Sequence, residues 1–205
     1  MPSANGGAIY LARHGETEWN AQGRFQGALD SPLTPRGRDQ AERLGRILAE
    51  HLNPAEPSMQ VSPLGRARET ASLLRRRFAC AGPIIEPRLR EVSLGSWDGL
   101  DMVEIHAEWP EALEGATAFD WYFRSPDGDS YEQVCARLAA WLEERHETVI
   151  VVSHGLTGRL LRGLYLGLSR NESLALTVPQ DAVFKLADGR VETLTLSAAT
   201  GEHAS

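Results

Sequence analysis

The chain is almost without lysine. Of its 21 basic residues only Lys185 is a lysine, and the other 20 are arginines. Chemistry that needs a lysine amine, a Schiff base for instance, would rest on that one late residue. Cysteine is scarce too. Cys80 and Cys135 are too few for a four-cysteine zinc site or a disulfide-rich scaffold, and neither lies in a Cys-x-x-Cys. Both are expected to be half-buried free thiols in a reducing compartment. No run approaches the ~18 apolar residues of a membrane-spanning helix. Met1 to Gly7 lacks a basic start and a long apolar stretch, so it does not read as a signal peptide. Excess positive charge is missing as well: 21 basic against 28 acidic residues gives a net charge of −7. That balance excludes a general nucleic-acid or anionic-membrane binder, which needs a basic surface. Internal repeats and low-complexity tracts are absent. A cytoplasmic protein is expected.

What remains is the composition of a soluble globular protein. With 42% hydrophobic and 24% charged residues, the 205-residue chain can build a full core. Its length predicts one domain over residues 1–205. Ala8–Arg13 reads as a buried strand that ends abruptly in polar His14-Gly15-Glu16. Residues 20–35, rich in Gly, Asp, Ser and Pro, read as loop. Thr34-Pro35 reads as an N-cap with proline at the first helical position. The helix runs to about Glu50, with Ala41, Leu44, Ile47 and Leu48 on one face. Met59–Val61 and Pro83–Glu86 are short strand candidates around a helix from about Leu64 to Phe78. Asp129 to about His146 is a helix with Val134, Leu138, Trp141 and Leu142 on one face. Thr148–Val152 is a buried strand ending in Ser153-His154-Gly155, and a helix follows from Leu156 to about Leu166. Ala182–Leu186 and Val191–Leu196, split by Asp188-Gly189, form a terminal hairpin. This alternation predicts an α/β domain, with helices on both faces of a mostly parallel sheet. In such sheets ligands bind beyond the carboxyl ends of strands, where both histidines fall.

Four clusters carry chemistry. The first, residues 13–27, reads RHGETEWN followed by GRFQG two residues later. It combines two arginines, an imidazole, an amide and flexible glycines. Arginine matches phosphate oxygens with a planar fork of donors. Glycines let backbone N–H groups approach an anion. An imidazole with one unprotonated nitrogen is a good nucleophile. The second, SPLGRARET at 62–70, puts Arg66 in the first turn of a helix, a position that also favours anions. The third, LREVSLGSWDG at 89–99, supplies the carboxyl of Glu91. The fourth is VVSHG at 151–155. Each alone would ordinarily be a surface pair, a helix start or a structural histidine. The four together, in order, are not explained that way.

On these residues the chain resembles the histidine phosphatase superfamily, also called the phosphoglycerate mutase-like family. The resemblance spans essentially the whole chain. It implies a three-layer α/β/α sandwich of the phosphoglycerate mutase type. It implies that His14 is the nucleophile that takes up the phosphoryl group. Arg13, Arg66 and His154 would form the phosphate pocket. Glu91 would protonate the leaving oxygen and then activate water, a role that calls for a carboxyl with a raised pKa. Asn20 would contact phosphate, as would the backbone N–H of Gly155 or Leu156. Arg24 and Gln26 would lie near the substrate, with Thr17 and Ser62 supporting the pocket from behind. No metal or other cofactor is implied.

Other motif chemistries fail on specifics. A zinc deaminase needs a Pro-Cys-x-x-Cys besides His14-Gly15-Glu16. Lys185 is not in a Walker loop, and no His-Glu-x-x-His or Gly-x-Ser-x-Gly exists. Within the family three readings compete: a metal-independent phosphomonoesterase, a cofactor-dependent phosphoglycerate mutase, and a catalytically silent phosphate-binding domain. A mutase holds a second phosphate and so needs extra cations by the pocket. Residues 97–130, expected to be a lid-like insertion over the active site, carry nine acidic residues, several aromatics and only Arg124 as a cation. That favours the phosphatase, with a neutral, apolar or amine-bearing leaving group. Trp109, Trp121 and His106 are the expected pocket residues of the insertion. The expected partner is a small phosphorylated metabolite, not nucleic acid or membrane, bound by a monomer or homodimer.

Overall fold

The structure is a computed structural model that describes residues 7–52, 57–80, 82–117 and 119–196. Apart from Gly7, the amino-terminal stretch lies outside the described residues. The strands and helices run β1 (Ile9–Arg13), α1 (Glu18–Ala21), α2 (Pro35–His51), β2 (Ser58–Val61), α3 (Gly65–Leu74), β3 (Ile84–Ile85), α4 (Met102–Glu108), α5 (Tyr131–Glu144), β4 (Val149–Ser153), α6 (Gly155–Leu166), α7 (Arg170–Leu174), β5 (Val183–Ala187) and β6 (Arg190–Leu194). The strands form one sheet in the order β3-β2-β4-β1-β5-β6. The first four are mutually parallel. The terminal hairpin joins antiparallel at the β1 edge. Its turn sits at Asp188 (φ 51°) and Gly189 (φ 70°), the two left-handed residues that a two-residue hairpin requires.

Because side chains alternate along a strand, each strand feeds two cores. Tyr10 and Ala12 of β1, with Ile150 and Val152 of β4, pack against Leu44, Ile47 and Leu48 of α2 and Ala67, Ala71 and Leu74 of α3. Ile9, Leu11, Val149 and Val151 pack against Val134, Leu138 and Trp141 of α5 and Leu156, Leu160 and Leu161 of α6. The result is the expected three-layer sandwich. Thr34 caps α2 by accepting from the Gly37 N–H, with Pro35 at the first position. Ser130 and Gln133 close a capping box on α5.

Some boundaries differ from the sequence reading. The stretch expected to be all loop from Asn20 starts inside α1, one turn capped by Thr17. The helix expected to reach Phe78 ends at Leu74 and tightens into a 3₁₀ turn over the cationic run Arg75–Arg77. The strand around residue 84 has only two residues, both exposed, at the sheet edge. Cys80 and Cys135 are half-buried, and neither is in a disulfide. Among the described residues no helix is long and apolar enough to cross a membrane.

Residues 97–130 build a small core of their own. Trp97, Ile105 and Trp121 are buried with Leu94, and Phe25, Trp109 and Leu113 pack around them. This segment is pinned to the first motif by Arg24, which makes a two-nitrogen ion pair with Glu104 (2.7 and 3.0 Å) and donates to the Gly99 carbonyl.

Candidate active site

β1 and β4 are parallel neighbours with Arg13 opposite Ser153, so the residues that follow each leave the sheet side by side. The His14 N–H extends the ladder one step to the Ser153 carbonyl, at 3.0 Å. The two imidazoles end with ring centroids 5.2 Å apart. Both are buried, at 2% and 1% exposure. At β2 the same edge supplies Ser62, whose N–H bonds to the Val152 carbonyl. Three strand ends therefore converge.

The rings are held by opposite nitrogens. His14 Nδ1 lies 2.8 Å from the Gly15 carbonyl, which makes it the protonated nitrogen and leaves the lone pair on Nε2. Burial, then the charges of Arg13 and Arg66, hold this imidazole well below its ordinary pKa. It is neutral near pH 7, as a nucleophile must be. His154 Nε2 lies 2.6 Å from Ser62 Oγ, and its Nδ1 is buried without a protein partner. Ser62 Oγ also accepts from the Leu64 N–H, and with the serine proton assigned to the bond to Nε2 the imidazole proton sits on Nδ1. Burial and the neighbouring Arg66 lower the His154 pKa as well.

The loop carrying His14 is tightly gripped. The Gly15 N–H donates to Thr70 Oγ1 of α3, at 3.1 Å. A Cβ on Gly15 would meet the Gly37 carbonyl of α2 at 2.1 Å, so only glycine allows this approach. Gln180 donates to the His14 carbonyl and to Asn20 Oδ1, each at 3.2 Å. With Oδ1 also accepting from the Thr17 N–H, the Asn20 amide nitrogen is the donor left over.

A cavity of about 250 Å³ opens over this edge. Arg13, His14, Asn20, Arg24, Gln26, Arg66, Glu91, Gly155 and Leu156 all line it. So nine of the ten residues expected to react or to bind substrate meet in one place, Arg24 and Gln26 among them. His154 lies behind His14, against a second, much smaller cavity. Thr17 and Ser62 are buried, and neither lines the cavity. Arg66 is 2% exposed. Its terminal nitrogens hold the 27–30 loop through the Gly27 and Leu29 carbonyls and Asp30. Glu91 points at the start of α6. Its Oε1 accepts from the Thr157 N–H (3.0 Å) and lies 2.9 Å from the Thr157 hydroxyl, and its Oε2 accepts from the Leu156 N–H (3.3 Å). Arg137 of α5 fixes this stretch from below, donating to the Arg88, Arg90 and Glu91 carbonyls.

The histidine phosphatase superfamily (branch 1) profile matches residues 9–193. The chain belongs to this superfamily. A Photorhabdus laumondii protein named "Probable phosphoglycerate mutase GpmB" is 35% identical over 169 residues, covering 78% of this chain and 75% of its own. The "Metal-independent phosphoserine phosphatase" of Arabidopsis thaliana is 34% identical over 171 residues, covering 80% and 70%. Among solved structures, Bacillus stearothermophilus YhfR superposes with a TM-score of 0.75 at 32% identity, over 87% of this chain and 89% of that one.

This superfamily member departs from its sequence reading at four points. The start of α3 is not open to an anion, because Asp30 caps the Gly65 and Arg66 N–H groups. The Leu156 N–H, expected to meet phosphate, is directed to Glu91. Arg24 faces the cavity with its charge already matched by Glu104. Trp109, Trp121 and His106 do not line the cavity. Trp121 is buried under Phe25 and Tyr122, with ring centroids 4.5 and 4.0 Å away, and His106 is exposed. Among the described residues of the 97–130 segment only Tyr122 reaches the cavity wall, and none of its nine acids does. Arg124 turns inward to the Glu114 and Gly115 carbonyls. The cation that the sequence reading missed is Arg159, from α6. It falls four residues after Gly155, a spacing that puts both on one helix face and could have pointed to it. Gln180 and Arg137 had no local signal.

Proposed function

We propose that this protein is a metal-independent phosphomonoesterase that works through a phosphohistidine on His14. The observation that carries the proposal is the state of His14: buried, neutral, with Nδ1 engaged and Nε2 unprotonated, in a cavity edged by Arg13, Arg66 and Glu91. The Nε2 lone pair attacks phosphorus while the P–O ester bond breaks. The Glu91 carboxylic acid gives its proton to the departing oxygen, and the alcohol leaves. Glu91, now a carboxylate, takes a proton from water. The hydroxide forms a P–O bond, the P–N bond breaks, and inorganic phosphate leaves a neutral His14 and a protonated Glu91. Arg13 and Arg66 supply the charge that the phosphoryl oxygens need, so the work is positioning and electrostatics. The 97–130 segment acts as the wall on the leaving-group side through Tyr122.

The test is phosphate release from a panel of monoesters in EDTA, together with rapid quenching of a single turnover. An acid-labile, base-stable phosphoenzyme that forms and decays is expected. Release without such a species would overturn the His14 intermediate. Release only after a bisphosphorylated primer is added, with phosphate returned to the substrate, would replace the phosphatase with a mutase. Glu91→Gln should slow alkyl esters by about 10²- to 10⁴-fold and activated aryl phosphates far less, since only the former need proton donation.

A further inference from the structure

Three consecutive carbonyls ahead of β5 are each held by a different arginine. Arg159 Nε donates to Leu176 (2.7 Å), Arg162 donates to Thr177, and Arg13 Nη1 donates to Val178 (2.8 Å). Two residues further on, Gln180 donates to the His14 carbonyl and to Asn20 Oδ1. Residues 176–180 thus form a strap. One end is fastened to α6, and the other reaches the loop that carries His14. The strap is stiff in between. Pro179 has a fixed φ and confines Val178 to extended conformations, so a shift at Thr177 passes on to Gln180 instead of being absorbed.

Arg13 is aimed by this strap. Among the described residues the Val178 carbonyl is what its guanidinium bonds to, and its Nε is buried without a partner. Asn20 is aimed by it too, because the Gln180 bond occupies Oδ1 and turns the amide nitrogen the other way.

Arg162 is the fastening that the chemistry has not yet used. It is 3% exposed and does not line the large cavity. It borders the small cavity behind His14, which Arg13, His154 and Val178 also line. Its partners are the Gly158 and Thr177 carbonyls and the face of Phe184, whose ring centroid is 3.9 Å away. Among the described residues no carboxylate lies within ion-pair distance of it. Burial, with the nearby charge of Arg159, lowers its pKa to about 10, which leaves it charged at neutral pH. A buried cation without a counter-ion is costly, and an apolar side chain of similar length would fill the space between α6 and β5 as well. What an apolar side chain could not do is hold the Thr177 carbonyl.

Resting on the phosphatase reading above, we propose that Arg162 is a positioning residue: by holding the Thr177 carbonyl it sets the 176–180 strap, and through the strap it places the Arg13 guanidinium and the Asn20 amide around the phosphoryl group on His14. It touches neither the substrate nor the reacting atoms.

The test compares stability, phosphate affinity and turnover. Arg162→Met keeps the bulk of the stem and removes the donors. Its melting temperature should stay within about 4 °C of wild type. Its kcat/KM should fall about 10²-fold, the effect of roughly 1 Å of misplacement at the reacting centre. Alkyl and activated aryl phosphates should suffer alike, since proton donation is untouched. Calorimetry with inorganic phosphate should show about tenfold weaker binding. Arg162→Lys, which can still donate to Thr177, should recover part of both losses. Adding Gln180→Ala to Arg162→Met should cost little more than either change alone, because both act through one strap. Unchanged phosphate affinity in folded Arg162→Met would overturn the proposal, whatever its melting temperature. So would an Arg162→Lys variant no better than Arg162→Met, or losses that simply add in the double variant. Weaker phosphate binding by Arg162→Met, with no ester hydrolysed by wild type, would support the strap and count against the phosphatase reading alone.

Discussion

Two strand ends in this protein begin alike and finish differently. β1 delivers Arg13-His14-Gly15 and β4 delivers Ser153-His154-Gly155, in parallel and in register. Both imidazoles are buried and both are held neutral. The difference lies in which nitrogen the surroundings occupy. A backbone carbonyl takes Nδ1 of His14, and a serine hydroxyl takes Nε2 of His154. One ring is left with a lone pair on Nε2 inside a ligand-sized cavity. The other is left with a proton on Nδ1, behind its neighbour. On the proposed mechanism, equal placement in the fold thus yields a nucleophile and a hydrogen-bond donor. The hydrogen-bond partner, more than burial or field, assigns the role.

The sharpest way to break this comparison is to remove each ring in turn. His14→Ala should lose at least about 10⁴-fold in kcat, because a covalent route has no second nucleophile here. Retained turnover would sink the assignment. His154→Ala should lose less, about 10²- to 10³-fold, the scale of one preorganised donor to a phosphoryl oxygen. Losses of equal size would mean that the two rings act as one unit.

A pH experiment probes what the rings share. An unfolded chain protonates both histidines below about pH 6.5, whereas the folded chain keeps them neutral to a lower pH. The unfolded state then binds more protons. Folding stability should therefore fall as pH drops below about 6.5, by up to about 1.4 kcal/mol per pH unit for each histidine, until the folded-state values are reached. Denaturant melts at about pH 7 and pH 5.5 measure this, and His154→Gln should remove about half of the histidine contribution. An unchanged slope in that variant would show that His154 is charged in the fold. The smallest effect is expected from Ser62→Ala, which leaves the ring in place but frees its Nε2. A loss of roughly tenfold in kcat is expected, as for other outer partners that orient a functional imidazole. A loss as large as that of His154→Ala would mean that orientation is the whole of that ring's role.

Most of the frame was legible because its signals are local. Thr34-Pro35 started α2, the Val-Ile-Val-Val run became the central strand β4, and Asp188-Gly189 turned the hairpin. The residues proposed to react were legible because they cluster at strand ends. Three short helices were missed although each carries a capping box, Thr17 with Asn20, Asp101 with Glu104 and Ser169 with Glu172. The site's supports were not legible. Gln180 reaches His14 across 166 positions and Arg137 reaches Arg90 across 47, and no pattern in a window encodes such pairings. The 97–130 segment misled for a related reason. Its composition is visible in sequence, but which side chains turn inward is decided by the packing of Trp97, Trp121 and Phe25.

The grip on Gly15 has one further consequence. The His14 loop is tied to β4 through Ser153, to α3 through Thr70 and to the segment before β5 through Gln180, and it touches α2 with no space for a methyl group. A segment held this way has no cheap local opening, unlike the mobile loops at the low-stability end of most proteins. Its amides should exchange with solvent only when the whole domain opens. Heat inactivation and loss of helical signal should then follow one curve, and inactivation at lower temperature would show that the loop frays first. On this reading heat tolerance of the activity is set by the sheet and its two cores, and a stabilising change far from the cavity extends the working range of the enzyme without touching the chemistry.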